Sequence, residues 1–198
     1  LLSGTVVLYV LLPLITRCSF YPNGSRKMKQ LIKKCSIAAI VALGITLSPG
    51  ALRTTPEGQQ KIAGWEDCRN TPYYCTAGVL TVGIGSTGRV EKREYSDSEI
   101  AGRWINDMRH AENCINQNFE GGHMPQSAFE AMTDASLNVG CTGLMWFTDS
   151  QKRKQRTTIW KKAQAHEWQA MCNRLTDFVN SGGKRSQGLV NRRTDFKA

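Results

Sequence analysis

At 198 residues the chain has room for one domain with a true hydrophobic core plus an extension. Hydrophobic residues at 40% and charged residues at 21% exclude a disordered polyelectrolyte and describe an ordinary globular protein. The 26 basic against 16 acidic residues leave a net charge of +10, which suits an anionic partner: nucleic acid, acidic lipid or an acidic polymer such as a cell wall.

In chain order, Leu1 to Thr16 is an apolar run broken by Pro13, and residues 17–27 are polar and turn-like. Met28 opens a short basic stretch ending at Lys33-Lys34, and an apolar segment follows from Cys35, the layout of an export signal. The expected biological start is therefore Met28, with residues 1–27 an upstream extension and residues 28–52 a signal-anchor. The span 35–52 is close to the lower limit for crossing a bilayer as a helix. Ala38, Ala39, Ala42, Gly44, Thr46 and Ser48 dilute its aliphatic residues, so it would sit in lipid with little energy to spare. No A-x-A cleavage site follows, which leaves an uncleaved anchor and a cleaved signal peptide both open.

Residues 53–198 form the expected folded domain. Thr55-Pro56-Glu57 reads as an N-cap, a proline at the first helical position and an acid in the first turn, of a helix running to about Glu66. Residues 72–85 hold β-branched and aromatic residues around a Thr-Ala-Gly turn, a hairpin signature. Ser96 and Glu99 make a capping box for a helix to about residue 118. Pro125 opens another, with Phe129, Met132, Leu137 and Val139 along one face, ending at Gly140. Helical patterns cover 156–165 and 167–180, before Gly182-Gly183, and a last one starts near Leu189. The fold class is α+β, mainly helical, with a small β-hairpin lobe flanking a cleft.

Seven cysteines, at 18, 35, 68, 75, 114, 141 and 172, are many for a reducing cytosol. The one close pair, Cys68 and Cys75, and the three histidines lack zinc-finger spacing, so neither a metal nor any other cofactor is expected. An oxidising compartment with disulfides and one odd thiol is the better reading.

Glycosidic chemistry needs an acid to protonate the leaving oxygen and a second group to manage water or the oxocarbenium ion. Glu66, beside Trp65 at a helix end and facing a hairpin, is a candidate for the acid, with the indole expected to shield its proton. Asp67 is a possible second carboxylate, although neighbouring helical residues point apart. From Glu66, eight residues lead to Cys75, five more to Thr81, and Val82-Gly83-Ile84-Gly85 follows. That spacing resembles the phage lysozymes of glycoside hydrolase family 24, whose pattern is Glu, eight residues, Asp or Cys, five residues, Thr. The resemblance extends over residues 55–198 and includes Phe129-Glu-Ala-Met, Asn138-Val-Gly140 and Gly188-Leu-Val-Asn-Arg192-Arg193. It implies Glu66 as general acid, Cys75 where other members have Asp, and Thr81 holding the attacking water. The implied reaction is inverting hydrolysis of the β-1,4 bond between N-acetylmuramic acid and N-acetylglucosamine in peptidoglycan. The chain stops soon after Arg192-Arg193, where such enzymes continue.

The thiols Cys35, Cys68 and Cys75 further resemble those of signal-arrest-release endolysins. In these, a disulfide on the catalytic Cys keeps a membrane-tethered enzyme inactive until a thiol in the anchor exchanges with it. By that likeness Cys35 attacks, Cys68 is the swapped partner and Cys75 is liberated; the alternative is a plain structural Cys68–Cys75 bond. Cys114, Cys141 and Cys172 are expected to be structural.

The basic run at 151–156, with Lys161 and Lys162, suits either an anionic polymer or a solvated face. Direct nucleic-acid recognition has no motif here, and no nucleic-acid partner is expected. Trp104, Trp146, Trp160 and Trp168 are expected mostly in the core, and Arg192 and Arg193 as ion-pairing braces. The expected protein is a monomeric endolysin, tethered to the periplasmic face of the host inner membrane through residues 35–52 and then released to degrade peptidoglycan. The rival reading is a non-catalytic wall-binding protein on a degenerate lysozyme fold.

Overall fold

The computed structural model describes residues 34–75 and 78–196, and its longest element is α3, Asp97–Asn118. The capping box opens it as expected: the Ser96 hydroxyl accepts from the Glu99 N–H, and the Glu99 carboxylate accepts from the Ser96 N–H at 2.9 Å. Hydrogen bonds from Arg93 and then from Ser96 hold the Glu99 carboxyl at about 2, so the cap stays charged well into acid. One stripe of the helix, Ile100, Trp104, Ile105, Met108, Ala111 and Ile115, enters the core. Trp104 is fully buried there, in line with its expected core role.

Against this axis pack α1 (Ile37–Leu47) and α4 (Gln126–Val139), with α2 (Pro56–Ala63) alongside α1. Thr55 caps α2 by accepting from the Gly58 N–H, and Pro56 occupies the first turn where no N–H is needed. The helix stops at Ala63, short of the expected end at Glu66, and a turn closed by the Glu66 N–H on the Ala63 carbonyl follows. The strands β1 (Arg69–Tyr74) and β2 (Leu80–Gly83) then form the expected antiparallel hairpin. Gly83 closes it with φ +62°, and a Cβ there would meet the Ile100 side chain at 2.7 Å, so the position admits only glycine.

The second half is a helical lobe with two small hairpins that the helical periodicity hid. After α5 (Cys141–Met145), β3 (Trp146–Thr148) pairs with β4 (Lys154–Arg156). The basic run 151–156 is thus a turn and a return strand. Asp149 organises that turn by accepting from the Gln151 and Arg153 N–H groups, and these bonds hold its carboxyl below the usual range. The Arg156 guanidinium lies over both Trp146 and Trp160, 3.6 and 4.1 Å from their centroids.

Next come α6 (Thr158–Gln164) and α7 (Trp168–Asn173). The helix expected over 167–180 ends at Asn173, a 3-10 turn follows at Arg174–Asp177, and Gly182 and Gly183, at φ +57° and +77°, turn a two-residue hairpin between β5 (Asn180–Ser181) and β6 (Lys184–Arg185). The final helix is α8, Gln187–Asp195. Cys114 and Cys141 form a disulfide between α3 and the start of α5, while Cys172 is a free, buried thiol whose pKa burial pushes up.

The first helix, α1, lies within the segment whose sequence reads as a signal-anchor. Eleven residues rise about 16 Å, roughly half a bilayer core. No helix among the described residues is long and apolar enough to cross a membrane. In α1, Ile40, Val41 and Gly44 are buried, whereas Ala38, Ala39, Ala42 and Thr46 face outward. Four of the residues that weaken the segment for lipid, Ala38, Ala39, Ala42 and Thr46, are therefore ones it shows to water. Gly44 permits close approach, since a Cβ there would stand 3.0 Å from Ile105 on α3. The remainder of the expected anchor, residues 28–33, lies outside the described residues.

Downstream of α1, residues 53–55 are fastened to the helical lobe. The buried Glu112 of α3 accepts from the Arg53 N–H, the Thr54 N–H and the Thr54 hydroxyl at 3.0, 2.7 and 2.6 Å. The Arg53 guanidinium donates to the Gly121 and Met124 carbonyls and lies over Phe129. Removing a partner from buried donors costs about 1–3 kcal/mol for each group left unpaired. The Glu112→Ala variant should therefore lose on the order of 3 kcal/mol in denaturant unfolding. A loss within ~0.5 kcal/mol, typical of an ordinary surface substitution, would show that this carboxylate is not a structural tie.

Candidate active site

The turn after α2 and the β1–β2 hairpin bring the three expected site residues into one lobe. Glu66 sits in the turn, Cys75 directly after β1, and Thr81 within β2 opposite Tyr73. Cys75 and Thr81 are joined through a single acceptor: the Val79 carbonyl takes the Cys75 N–H at 3.0 Å and the Thr81 hydroxyl at 3.0 Å. All three residues are covered, at 8%, 6% and 0% relative exposure.

Glu66 pairs with an arginine. Trp65 turns its N–H to Asp195, at 3.1 Å. Arg192 of α8 donates to Glu66 Oε1 at 2.8 Å, and through its other guanidinium nitrogens it reaches Asp134 of α4 at 2.7–2.8 Å. Asp134 is completely buried and is held from its second oxygen by Arg193, at 2.7 Å, which also donates to Asn138. Burial acts against the Arg192 charge, but Asp134 and Glu66 outweigh it and keep the guanidinium firmly protonated. Two arginines and two carboxyl groups thus make one buried, hydrogen-bonded cluster. Its geometry fixes the Glu66 carboxyl through one oxygen and leaves Oε2 for other work.

The expected bracing role of Arg192 and Arg193 is therefore present, with the added contact between Arg192 and Glu66. That contact could not be read from the sequence, because 126 positions separate the partners. The signal available was the paired presence of the Asn138-Val-Gly140 and Arg192-Arg193 motifs, without any indication that they meet. Asp67 does not join the site. It accepts from the Cys68 N–H, pairs with Arg69 at 2.9 Å and lies 3.6 Å from Lys34.

The thiols sit at the edge of this arrangement. Cys35 and Cys68 form a disulfide, reinforced by the Cys35 N–H on the Cys68 carbonyl and by a bridge between Lys34 and Arg69. The start of the anchor segment is thereby clipped two residues after Glu66. Cys68 is therefore not bonded to Cys75. Acid delivery from a fixed carboxyl to a glycosidic oxygen is within reach of such a site.

Comparison with known proteins agrees with the geometry. Residues 63–195 match the phage lysozyme family profile. The SAR-endolysin of Escherichia phage P1 is 43% identical over 161 residues, covering 80% of this chain and 86% of that protein. The crystal structure of the active form of the P1 phage endolysin Lyz superposes with a TM-score of 0.78 at 39% identity, covering 83% of this chain and 93% of that one. The secreted inactive form of the same endolysin gives 0.55 at 42% identity, over 73% and 93%. The chain belongs to the phage lysozyme family and is a glycoside hydrolase.

Proposed function

We propose that this chain is an endolysin that cleaves the β-1,4 bond between N-acetylmuramic acid and N-acetylglucosamine of peptidoglycan, with Glu66 as general acid. The observation that carries the reading is the buried Glu66 carboxyl, held through Oε1 by Arg192 beside a hairpin that ties Cys75 to Thr81. Glu66 gives its proton to the leaving oxygen as the C1–O bond breaks. A water kept by the Thr81 oxygen adds to C1 from the opposite face and inverts the anomeric centre. Cys75, as thiolate, assists that water or stabilises the developing positive charge, which requires its sulfur to be free.

That requirement makes Cys75 the point of control. The Cys35–Cys68 bond is the pairing expected after exchange, since it removes Cys68 as a partner for Cys75. The greater likeness to the active than to the inactive P1 form supports the same stage for α1, docked against α3. Before docking, residues 35–52 as one helix would extend about 27 Å and tether the exported enzyme to the periplasmic face of the inner membrane. Release to the periplasm then lets the aliphatic face of α1 find the core while its alanines meet water.

Two outcomes test this reading. Turbidity loss of purified peptidoglycan with the full chain under mild reductant should fall by about 10²–10⁴ in Glu66→Gln. Wild type and Glu66→Gln that bind the wall equally and clear it equally poorly would favour the non-catalytic wall-binding alternative. In Cys35→Ser, clearing without reductant should drop to near background and recover when reductant is added, because Cys68 can again hold Cys75. Unchanged lysis by Cys35→Ser would remove the exchange step and leave the hydrolase.

A further inference from the structure

Two of the chain's three histidines meet in the helical lobe, on elements that carry none of Glu66, Cys75 and Thr81. Glu120 follows the C-terminus of α3 in a left-handed conformation, φ +58°, and His123 ends the short 3-10 turn after it. His166 lies in the connection between α6 and α7, 43 positions further on, also at positive φ, +55°. The Glu120 carboxylate stands 3.6 Å from His123 Nδ1 and 3.9 Å from His166 Nε2. One donor atom from each residue falls within 4.8 Å of the others.

Both loops are set in place by the backbone. The Gln164 side chain donates to the Asn118 carbonyl at 3.1 Å, joining the end of α6 to the end of α3. The His123 N–H bonds the Glu120 carbonyl and the His166 N–H bonds the Ala163 carbonyl. The rings are stacked as well: His166 lies between His123, at 5.1 Å, and Trp168, at 4.9 Å between centroids.

A surface ion pair with stacked rings would explain any one of these contacts. It does not require that three donors from two loops converge, nor that two imidazoles, which repel when both are protonated, be stacked beside each other. A +10 chain also gathers no loose cations by its overall field.

We propose that Glu120, His123 and His166 bind one divalent transition ion, of which zinc fits the donor set best. Two imidazoles and one carboxylate suit zinc, nickel or copper over magnesium or calcium, which prefer all-oxygen ligands. Tetrahedral bonds of about 2.1 Å place donors about 3.4 Å apart, so the observed spacings need only modest side-chain rotation. Water completes the coordination at this half-exposed site. The ion would clamp the end of α3 to the α6–α7 connection. Its role is stabilising, and the hydrolysis described above proceeds without it.

The test is calorimetric titration of zinc into chelator-treated, oxidised full-length protein, paired with thermal unfolding. Wild type should bind one zinc per chain and melt higher with zinc than without. His123→Ala, His166→Ala and Glu120→Gln, each checked for native circular dichroism, should bind tenfold or more weakly and lose the melting shift. His110→Ala, a histidine outside the cluster, should behave as wild type. Zinc binding that survives His123→Ala/His166→Ala unchanged, or its absence from wild type at tens of micromolar zinc, would overturn the assignment.

Discussion

The catalytic lobe depends on a buried bridge. Arg192 joins Glu66, in the turn after α2, to Asp134, deep in α4, and Arg193 holds the far side of Asp134. A charge this deep is tolerated only because every member has an opposite partner, and deleting one leaves the others buried and uncompensated. The bridge also unites segments from opposite ends of the domain, so Glu66 is fixed only once α8 has docked. An exposed carboxyl on a helix end would have many rotamers; one held through Oε1 has one orientation to offer a substrate.

A second constraint is that one segment has to suit two solvents. Ile40 and Val41 give α1 enough aliphatic surface to enter the core, and Ala38, Ala39, Ala42 and Thr46 keep its other face small and tolerable in water. Burial of two such side chains is worth about 3–6 kcal/mol, sufficient to favour docking for a helix that lipid retains weakly. The Cys35–Cys68 bond then closes the arrangement next to Glu66. Anchor and active site are consequently coupled by covalent chemistry as well as by packing.

Local signals in the sequence were strong where the chain makes its own structure. Thr55-Pro56, the Ser96–Glu99 box, Gly140 and the β1–β2 hairpin each satisfy backbone groups within a few residues, and each was legible. Where tertiary contacts decide, legibility ended. The run 151–156 and Gly182-Gly183 belong to hairpins whose strands are only two or three residues long, too short to show alternation. The outward placement of the α1 alanines has meaning only beside α3. Spacing along the chain excluded a metal motif, while the fold brings Glu120 and His123 of one loop to His166 of another. Likewise the family resemblance marked Glu66, Cys75 and Thr81, but the hold of Arg192 on Glu66 comes from helices far apart in sequence.

The most direct measurement is the redox state of Cys75 set against the rate of wall clearing. Samples of the full chain poised at graded reductant would be alkylated, the free thiol at Cys75 quantified by mass spectrometry, and peptidoglycan clearing followed in parallel. Clearing should rise in proportion to free Cys75 and stay absent throughout in Glu66→Gln. Full clearing while Cys75 is still disulfide-bonded would contradict a site whose acid is Glu66 and whose control is the Cys75 sulfur.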